Sequence, residues 1–355
     1  MAASLDDIVK IEFSASATPV ATALTTIPLL VAPDAPAWED GKACHTYATV
    51  ADLLEDGFDS DSPTVAYARL LLGQGLIPGT FLVGRKAGAA LTKADLDAIA
   101  QADNSWYGGV VVQGTDDELH TAAAWALSQR KLFVGASASS NNADASKTDS
   151  LAATLKAENQ RRFALLVSPA NAQDGVDAAW LGGQLPATPG SNNWAYNTLN
   201  GVATDNFTTS QLRAIIGTAV DGTRGNNANV YITRAGSGST QYGTTSSGDW
   251  IDNVIGEDWL VFNLQAALFG VLKNSRKVPY TDKGVSMLLA ACHGVLDQAV
   301  VNQLVSSETP YTITAPSVTT VSAQDRINRR SPIISINCTL AGAINSVRLQ
   351  INVQP

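Results

Sequence analysis

Three histidines, His45, His120 and His293, are the side chains best suited to proton transfer or metal binding near neutral pH. None falls in an HExxH pattern or a Cys/His cluster. His120 lies inside a predicted amphipathic helix and His293 borders an apolar stripe, so all three are expected to be structural. Cys44, Cys292 and Cys338 have neither metal nor redox spacing. Cys292 on a helical stripe and Cys338 in an apolar strand are expected to be buried thiols, and no disulfide framework is implied. A reducing cytoplasm is the natural folding compartment for such a chain. Gly236-Ser-Gly238 follows a strand but opens onto no clear helix. It lacks the third glycine of a dinucleotide fingerprint, and no GxxxxGK[ST] or GxSxG occurs. Asp116-Asp117-Glu118 begins a helix after a strand. Carboxylates there could hold a metal, but acidic residues in a first helical turn also complement the macrodipole, and that reading is favoured. No catalytic, cofactor or metal site is therefore expected.

The basic residues are more informative. Lys273, Arg276, Lys277 and Lys283 gather at a predicted helix–helix turn, and Arg326, Arg329 and Arg330 gather before the last strands. Helix C-terminal charge and solvated loop explain them without function. The functional alternative is an electropositive face that docks an acidic protein surface. The chain as a whole carries a net charge of −9, which argues against a general nucleic-acid binder.

Both ends alternate in polarity. Val9, Ile11 and Phe13 alternate with Lys10 and Glu12, and Val347, Leu349, Ile351 and Val353 alternate with Arg348, Gln350 and Asn352. Period two is the signature of a half-buried strand. The two strands either pair with each other inside one domain or serve as arms that complete a neighbour's sheet. A strand, a small-residue turn at Leu340–Gly342 and the last strand make up the C-terminal stretch from Ser331.

The elements between these ends follow from composition and punctuation. Apolar residues make up 45% of the 355 and charged residues only 15%, so the chain is globular and draws much of its polar surface from Ser, Thr, Asn, Gln and Gly. That surface suits burial against other proteins, and the length suggests two or three domains. MAASLDDIVK is acidic without an apolar core, so no signal peptide is expected. The run Trp259–Leu272 is fourteen residues, short of the ~20 that span a bilayer, and is read as a buried helix. Ile27–Ala32, Phe81–Gly84, Gly109–Gln113, Leu132–Ala136 and Phe163–Val167 read as strands. Helices are predicted at Tyr47–Phe58, Ser62–Gln74, Lys93–Ala102, Asp116–Arg130 and Leu151–Gln160, with caps at Thr92, Thr115 or Asp116, and Asp149 or Ser150. This alternation predicts a parallel or mixed α/β layer. A helix over Thr209–Val220, a strand over Val230–Thr233 and a flexible loop or β-excursion over Arg234–Gly248 follow. Trp194 and Tyr196 are expected to pin the loop around them. Two long helices, Asp249–Asn274 (softly broken at Gly256 and Gly270) and Asp282–Val305, form an antiparallel hairpin. Strands at Tyr311–Thr314, Val318–Val321, Ile333–Thr339 and Val347–Val353 complete an α+β unit.

Taken together, DDIVKIEFSASAT, IPLLVA, TVAYARLLLGQGLIPGTFLVGR and PYTDKGVSMLLAACHGVLDQAV with the terminal strand pair resemble the tail sheath proteins of contractile-tailed phages, and most of all their compact sheath-like members. The resemblance rests on order and spacing over most of the chain. It implies a combined α/β and α+β fold: an inner α+β domain built from residues 1–25 and 246–355, an outer α/β domain over 26–245, and terminal strand arms. It further implies a structural subunit that stacks as six-fold rings around a tail tube and contracts to drive that tube through the host envelope, with no cofactor or enzyme activity. Implied partners are other copies of itself through strand exchange, the tail tube, and baseplate and tail terminator proteins, without nucleic acid or membrane. The implied location is the virion tail, after assembly in the host cytoplasm. Val9, Ile11 and Phe13 would form one arm's inward face, and Val347, Leu349, Ile351 and Val353 the other's. Lys273, Arg276, Lys277 and Lys283, then Arg329 and Arg330, would face the tube. Two other readings stay open: a nucleotide or sugar-phosphate enzyme with its site at the strand ends, and another tail or baseplate part.

Overall fold

Alternation along short apolar strands decides the architecture. The computed structural model describes residues 8–11, 26–38, 41–76, 78–218 and 222–351. Its first part contains β1 (Pro28–Ala32), β2 (Cys44–Tyr47), α1 (Val50–Glu55), α2 (Pro63–Leu72), β3 (Phe81–Arg85), α3 (Lys93–Ala102), β4 (Gly108–Val111), α4 (Asp116–Ser128), β5 (Leu132–Ser137), α5 (Leu151–Ala157), β6 (Phe163–Val167) and α6 (Val176–Gln184). The strands form one sheet in the order β2-β3-β1-β4-β5-β6, parallel except for β2 at its edge. Leu30, Val110, Val134 and Leu166 point into one apolar cluster with α2 and α6, while Leu29, Val111, Phe133 and Leu165 point into another with α3, α4 and α5. Period two thus gives the sheet two buried faces and a three-layer sandwich. α2 and α6 approach so closely that a Cβ at Gly182 would lie 2.1 Å from the Leu71 carbonyl oxygen.

The helices begin where capping chemistry dictates. Thr49, Ser62, Thr92, Thr115 and Ser150 each accept a backbone N–H of the first turn. Thr92 with Asp95 and Thr115 with Glu118 close capping boxes. The stretch predicted as helix from Tyr47 starts instead at Val50, because Cys44–Tyr47 pairs with β3 as the edge strand.

Next come α7 (Thr209–Ile215), capped by Thr208, and the hairpin of β7 (Val230–Arg234) and β8 (Ser237–Gln241). The Gly/Ser/Thr-rich stretch is therefore a β-excursion. Ala235 and Gly236 make its turn in the left-handed region, at φ 50° and 83°.

The last part holds α8 (Ile251–Asn274), α9 (Asp282–Val301), β9 (Thr312–Thr314), α10 (Ala323–Ile327) and β10 (Ser335–Asn337). α8 runs unbroken through Gly256, where a Cβ would come within 2.2 Å of Leu304. Its start, Ile251 and Ile255, belongs to the sheet's core, whereas Leu260 and Leu264 join Cys292, Leu296 and Ala299 of α9 in a third cluster. One helix therefore spans two cores. α8 and α9 are both long and apolar enough, by length and composition alone, to cross a membrane. The fourteen-residue run thus underestimates α8, whose apolar stripe packs on the sheet and on α9.

Among the described residues some expected strands are absent. Val318–Thr320 is a 3-10 turn, since the Asp282 carboxylate accepts the Val318 N–H at 2.8 Å and Ser317 caps the turn. Residues 8–11 form a turn and bend, and residues 341–351 have no regular secondary structure. Cys292 is buried as expected, but Cys338 is exposed, because it lies just beyond β10 in a sheet of only two strands.

Candidate assembly surfaces

The C-terminal segment leaves the body after Leu340. Leu340 bridges Val305, and the Ala341 N–H donates to the Leu304 carbonyl at 2.9 Å. Beyond this point Ile344, Val347, Leu349 and Ile351 are 72–85% exposed. Val353 lies outside the described residues. An alternating apolar row is thus presented to solvent with no strand paired to it among the described residues. The N-terminal candidates behave differently. Val9 is buried and its carbonyl accepts from Gln265 Nε2 at 2.9 Å, while Ile11 packs on the α8–α9 cluster. Phe13 lies outside the described residues. Among these residues the two ends do not pair with each other.

Beside the α8–α9 hairpin, β9 and β10 form an antiparallel pair with Ile336 opposite Ile313. Ile313, Ile334 and Ile336 rest on the third cluster. Among the described residues no further strand joins either edge. A two-stranded sheet is marginal alone and its edges offer unpaired N–H and C=O groups.

The basic residues converge. Tyr280 Oη donates to the Arg330 carbonyl at 2.7 Å, which brings the helix–helix turn against the segment before β10. Lys273, Arg276, Lys277 and Lys283 therefore share one end of the hairpin with Arg329 and Arg330, and all six are exposed. Residues 273–283 and 317–330 hold seven basic and two acidic side chains. Both acids are engaged: Asp282 accepts from Ser317 and Val318, and Asp325 from Ser322 with Arg330 Nη1 at 3.7 Å. The rest of this acidic chain is correspondingly more negative.

α8 is fastened to the sheet by buried charge. Asp258 accepts from both Arg162 guanidinium nitrogens and from Tyr107 Oη at 2.7 Å. Burial works against the Arg162 charge, but Asp258 holds the guanidinium above its ordinary pKa. Burial and the Asp258 charge push the Tyr107 hydroxyl well up. Arg161 bridges Asp249 at 3.0 Å and Glu257 at 2.7 Å beside them.

At the start of α8 lies a groove of about 350 Å³. Tyr242 stacks on Trp250 at 6.1 Å, with the Arg224 guanidinium over both rings. Residues 343–346 lie along it, and Asn345 accepts hydrogen bonds from Asn193 and Tyr196. Of the two aromatic residues expected to pin their loop, Trp194 is buried and does so, while Tyr196 is 52% exposed and holds the C-terminal segment instead. Sequence reasoning did not assemble this groove. Its residues come from four separate stretches of the chain, at Tyr196, Gly222 with Arg224, Tyr242 with Trp250, and 343–346, and only the aromatic residues hinted at it.

The residues considered for chemistry have structural partners. His45 stacks on Trp38 and contacts Asp56, His120 contacts Glu158, and His293 contacts Tyr311. Burial opposes the Glu118 charge, yet Lys86 and the N–H groups of Thr115 and Leu91 hold its carboxyl below the ordinary value. Asp116 accepts from Ser137. Among the described residues no His/Cys/Asp/Glu group is placed to hold a metal. At the strand-order reversal around β1 and β4, where α/β enzymes bind nucleotides, Asp34 accepts from Thr64 and Tyr67 donates to Ala172. α2 thus fills the mouth of that crevice.

Residues 251–353 match the family model described as E217 tail sheath protein gp31-like, C-terminal domain. The fold is similar over 98% of both chains, with a TM-score of 0.68 and 17% identity, to a protein of the anti-feeding prophage (AFP) baseplate. It is similar, with a TM-score of 0.65 and 17% identity, over 97% of this chain and 98% of the other, to the AFP helical sheath in its contracted state. A protein of the PVC extracellular contractile injection system sheath complex, also contracted, matches at 0.65 and 16% identity over 97% and 96% of the two chains. Compared by sequence with curated proteins, the chain has no significant match. The resemblance to contractile-tail sheath proteins therefore holds, in sequence over 251–353 and in fold along nearly the whole chain.

Proposed function

We propose that this protein is the sheath subunit of a contractile phage tail or a related injection machine. It polymerises as stacked six-fold rings around a tube, and its contraction drives the tube through an envelope. The observation that carries this reading is the exposed row of Val347, Leu349 and Ile351 on a chain that also holds a two-stranded sheet whose edges no further strand joins among the described residues. Each half is incomplete alone and complements the other on a second copy. Burial of such a side chain contributes about 1.5–3 kcal/mol, and the ladder of backbone hydrogen bonds adds register. A contact between two different surfaces closes into a ring or propagates as a helix according to its rotation, and a sheath of stacked rings uses both outcomes.

Residues 1–25 and 246–355 would form the inner unit, facing the tube through the basic end, and 26–245 the outer unit. At the N-terminal end Val9 and Ile11 would anchor the arm on its own α8–α9 hairpin, and Phe13 would lie on the part that reaches a neighbour. Contraction needs no nucleotide on this account: it exchanges sheath–tube contacts for larger sheath–sheath contacts. Tube, baseplate and terminator proteins would be the partners, in the tail, after cytoplasmic assembly, without nucleic acid, membrane or cofactor.

Negative-stain microscopy of the purified protein beside a version ending before Val347 tests the reading. Hollow tubes from the full chain only are the expected result. Monodisperse subunits from both, alone and with a co-expressed tube protein, would overturn it.

A further inference from the structure

The C-terminal segment meets the α/β part at Asn345. Asn345 is half-buried, while every other residue of 341–351 is exposed. Asn193 Nδ2 donates to its side chain at 2.6 Å, and Tyr196 Oη donates to its carbonyl. The seat is built at a cost. Tyr196 and Tyr242, which flank it, have φ of 62° and 79°. Bulky residues avoid that region and hold it where the surroundings over-determine them. The Tyr196 N–H donates to the Thr240 carbonyl at 2.7 Å, and the Ile251 N–H to the Gly243 carbonyl at 3.1 Å. The groove is thereby joined to the first turn of α8.

We propose that this groove is a clamp and that Asn345 is the fixed base of the C-terminal strand. The segment is held at Ala341 on Leu304 and at Asn345 on Asn193 and Tyr196, and the side chains of Val347, Leu349 and Ile351 stand exposed beyond the seat. The strand then leaves every subunit from the same point. Tension on it passes to the start of α8, the helix shared by two cores, and not to the β9–β10 pair. The clamp itself stands on the geometry of one subunit. Its persistence in a polymer rests on the sheath reading.

Cross-linking tests both parts. In a Cys338→Ser background, Asn193→Cys with Asn345→Cys should form an internal disulfide in dilute subunits about tenfold faster than Asn193→Cys with Val347→Cys, because a seated pair has a high effective concentration. Equal rates would overturn the clamp. Oxidised subunits should then assemble as many tubes as reduced ones. Loss of tubes on oxidation, recovered on reduction, would show that the seat opens and would overturn the fixed base. If the parent protein forms no tubes, alone or with a co-expressed tube protein, the sheath reading falls, and the cross-linking rates alone judge the seat. Should the cysteine pair misfold, Tyr196→Phe with Asn345→Ala should speed tryptic cleavage after Arg348 about threefold, since proteolysis follows local release. An unchanged rate would overturn the clamp.

Discussion

Arg162 and Asp258 form a buried, two-pronged ion pair between residues 96 positions apart, with Arg162 Nη2 2.9 Å from Asp258 Oδ1. Asp258 is 4% exposed and Arg162 9%. The pair joins the residue before β6 to the first half of α8, where the helix passes from one core to the next. Its value lies in what its loss leaves behind. Asp258→Ala would strand a guanidinium away from water, at a cost of about 3–5 kcal/mol. Tyr107→Phe, which removes one donor to the same carboxylate, should cost about 1–2 kcal/mol. Urea unfolding of the two variants measures the difference. Equal, small losses would mean that the pair is solvated.

Asp177 predicts a pH dependence. It is fully buried in the first turn of α6, and burial pushes its carboxyl up from 3.8 to about 7, partly offset by the Ala178 N–H. Between those values the folded chain holds a proton that the unfolded chain has released. Its contribution to stability is therefore complete below 3.8, falls as pH rises and is gone above about 7. Asp177→Asn should match the parent protein in acid and exceed it by about 1–3 kcal/mol as the pH approaches 7. Lys131, lowered by burial to about 7, acts with the opposite slope above that pH, so the comparison belongs below it. A stability difference that does not vary with pH would rule out ionisation of Asp177 as the cause.

The layered half of the fold was legible because each local signal had one meaning. Phe163–Val167 is a continuous apolar run and became β6 with those bounds. Thr92 and Ser62 precede periodic stripes and cap α3 and α2. Cys44–Tyr47 escaped because an edge strand with alternating polar residues and a following capping threonine reads as a helix start. Val318–Val321 looked like a strand, but a side chain from α9 holds it as a turn. Asp258 was visible in principle, since it interrupts the buried stripe of Val254, Ile255 and Val261 at helical spacing. The Asn345 seat was not, because its parts meet only through tertiary packing. The two basic clusters were each legible, but their union depends on the Tyr280–Arg330 contact.

Exposure makes the C-terminal segment a clean test of assembly. Leu349→Asp changes a residue that is 80% exposed, so the free subunit should unfold within about 0.5 kcal/mol of the parent. In a neighbour's sheet the same carboxylate would be buried without a partner, and tubes should be lost. Gln350→Asp, on the opposite face of the period-two row, should still assemble. Microscopy of both variants, beside their melting curves, separates the faces. Equal assembly of the two would mean that the row is not an arm.

The basic end makes a different prediction, because charge at an exposed rim governs encounter more than fold. Lys273→Glu with Arg276→Glu and Lys277→Glu would reverse three of the seven positive charges around the α8–α9 turn. None of the three is buried, so stability should change by less than about 1 kcal/mol. If this end meets an acidic tube, co-assembly with the tube protein should fall steeply, and the parent complex should weaken with salt as screening shortens the reach of these charges to about 8–10 Å. On the proposed sheath reading, empty polymers should form as before, because the C-terminal segment and the β9–β10 pair are untouched. Loss of empty polymers together with the tube complex would place the basic end between subunits instead. A tube complex indifferent to both reversal and salt would remove this end from the interface.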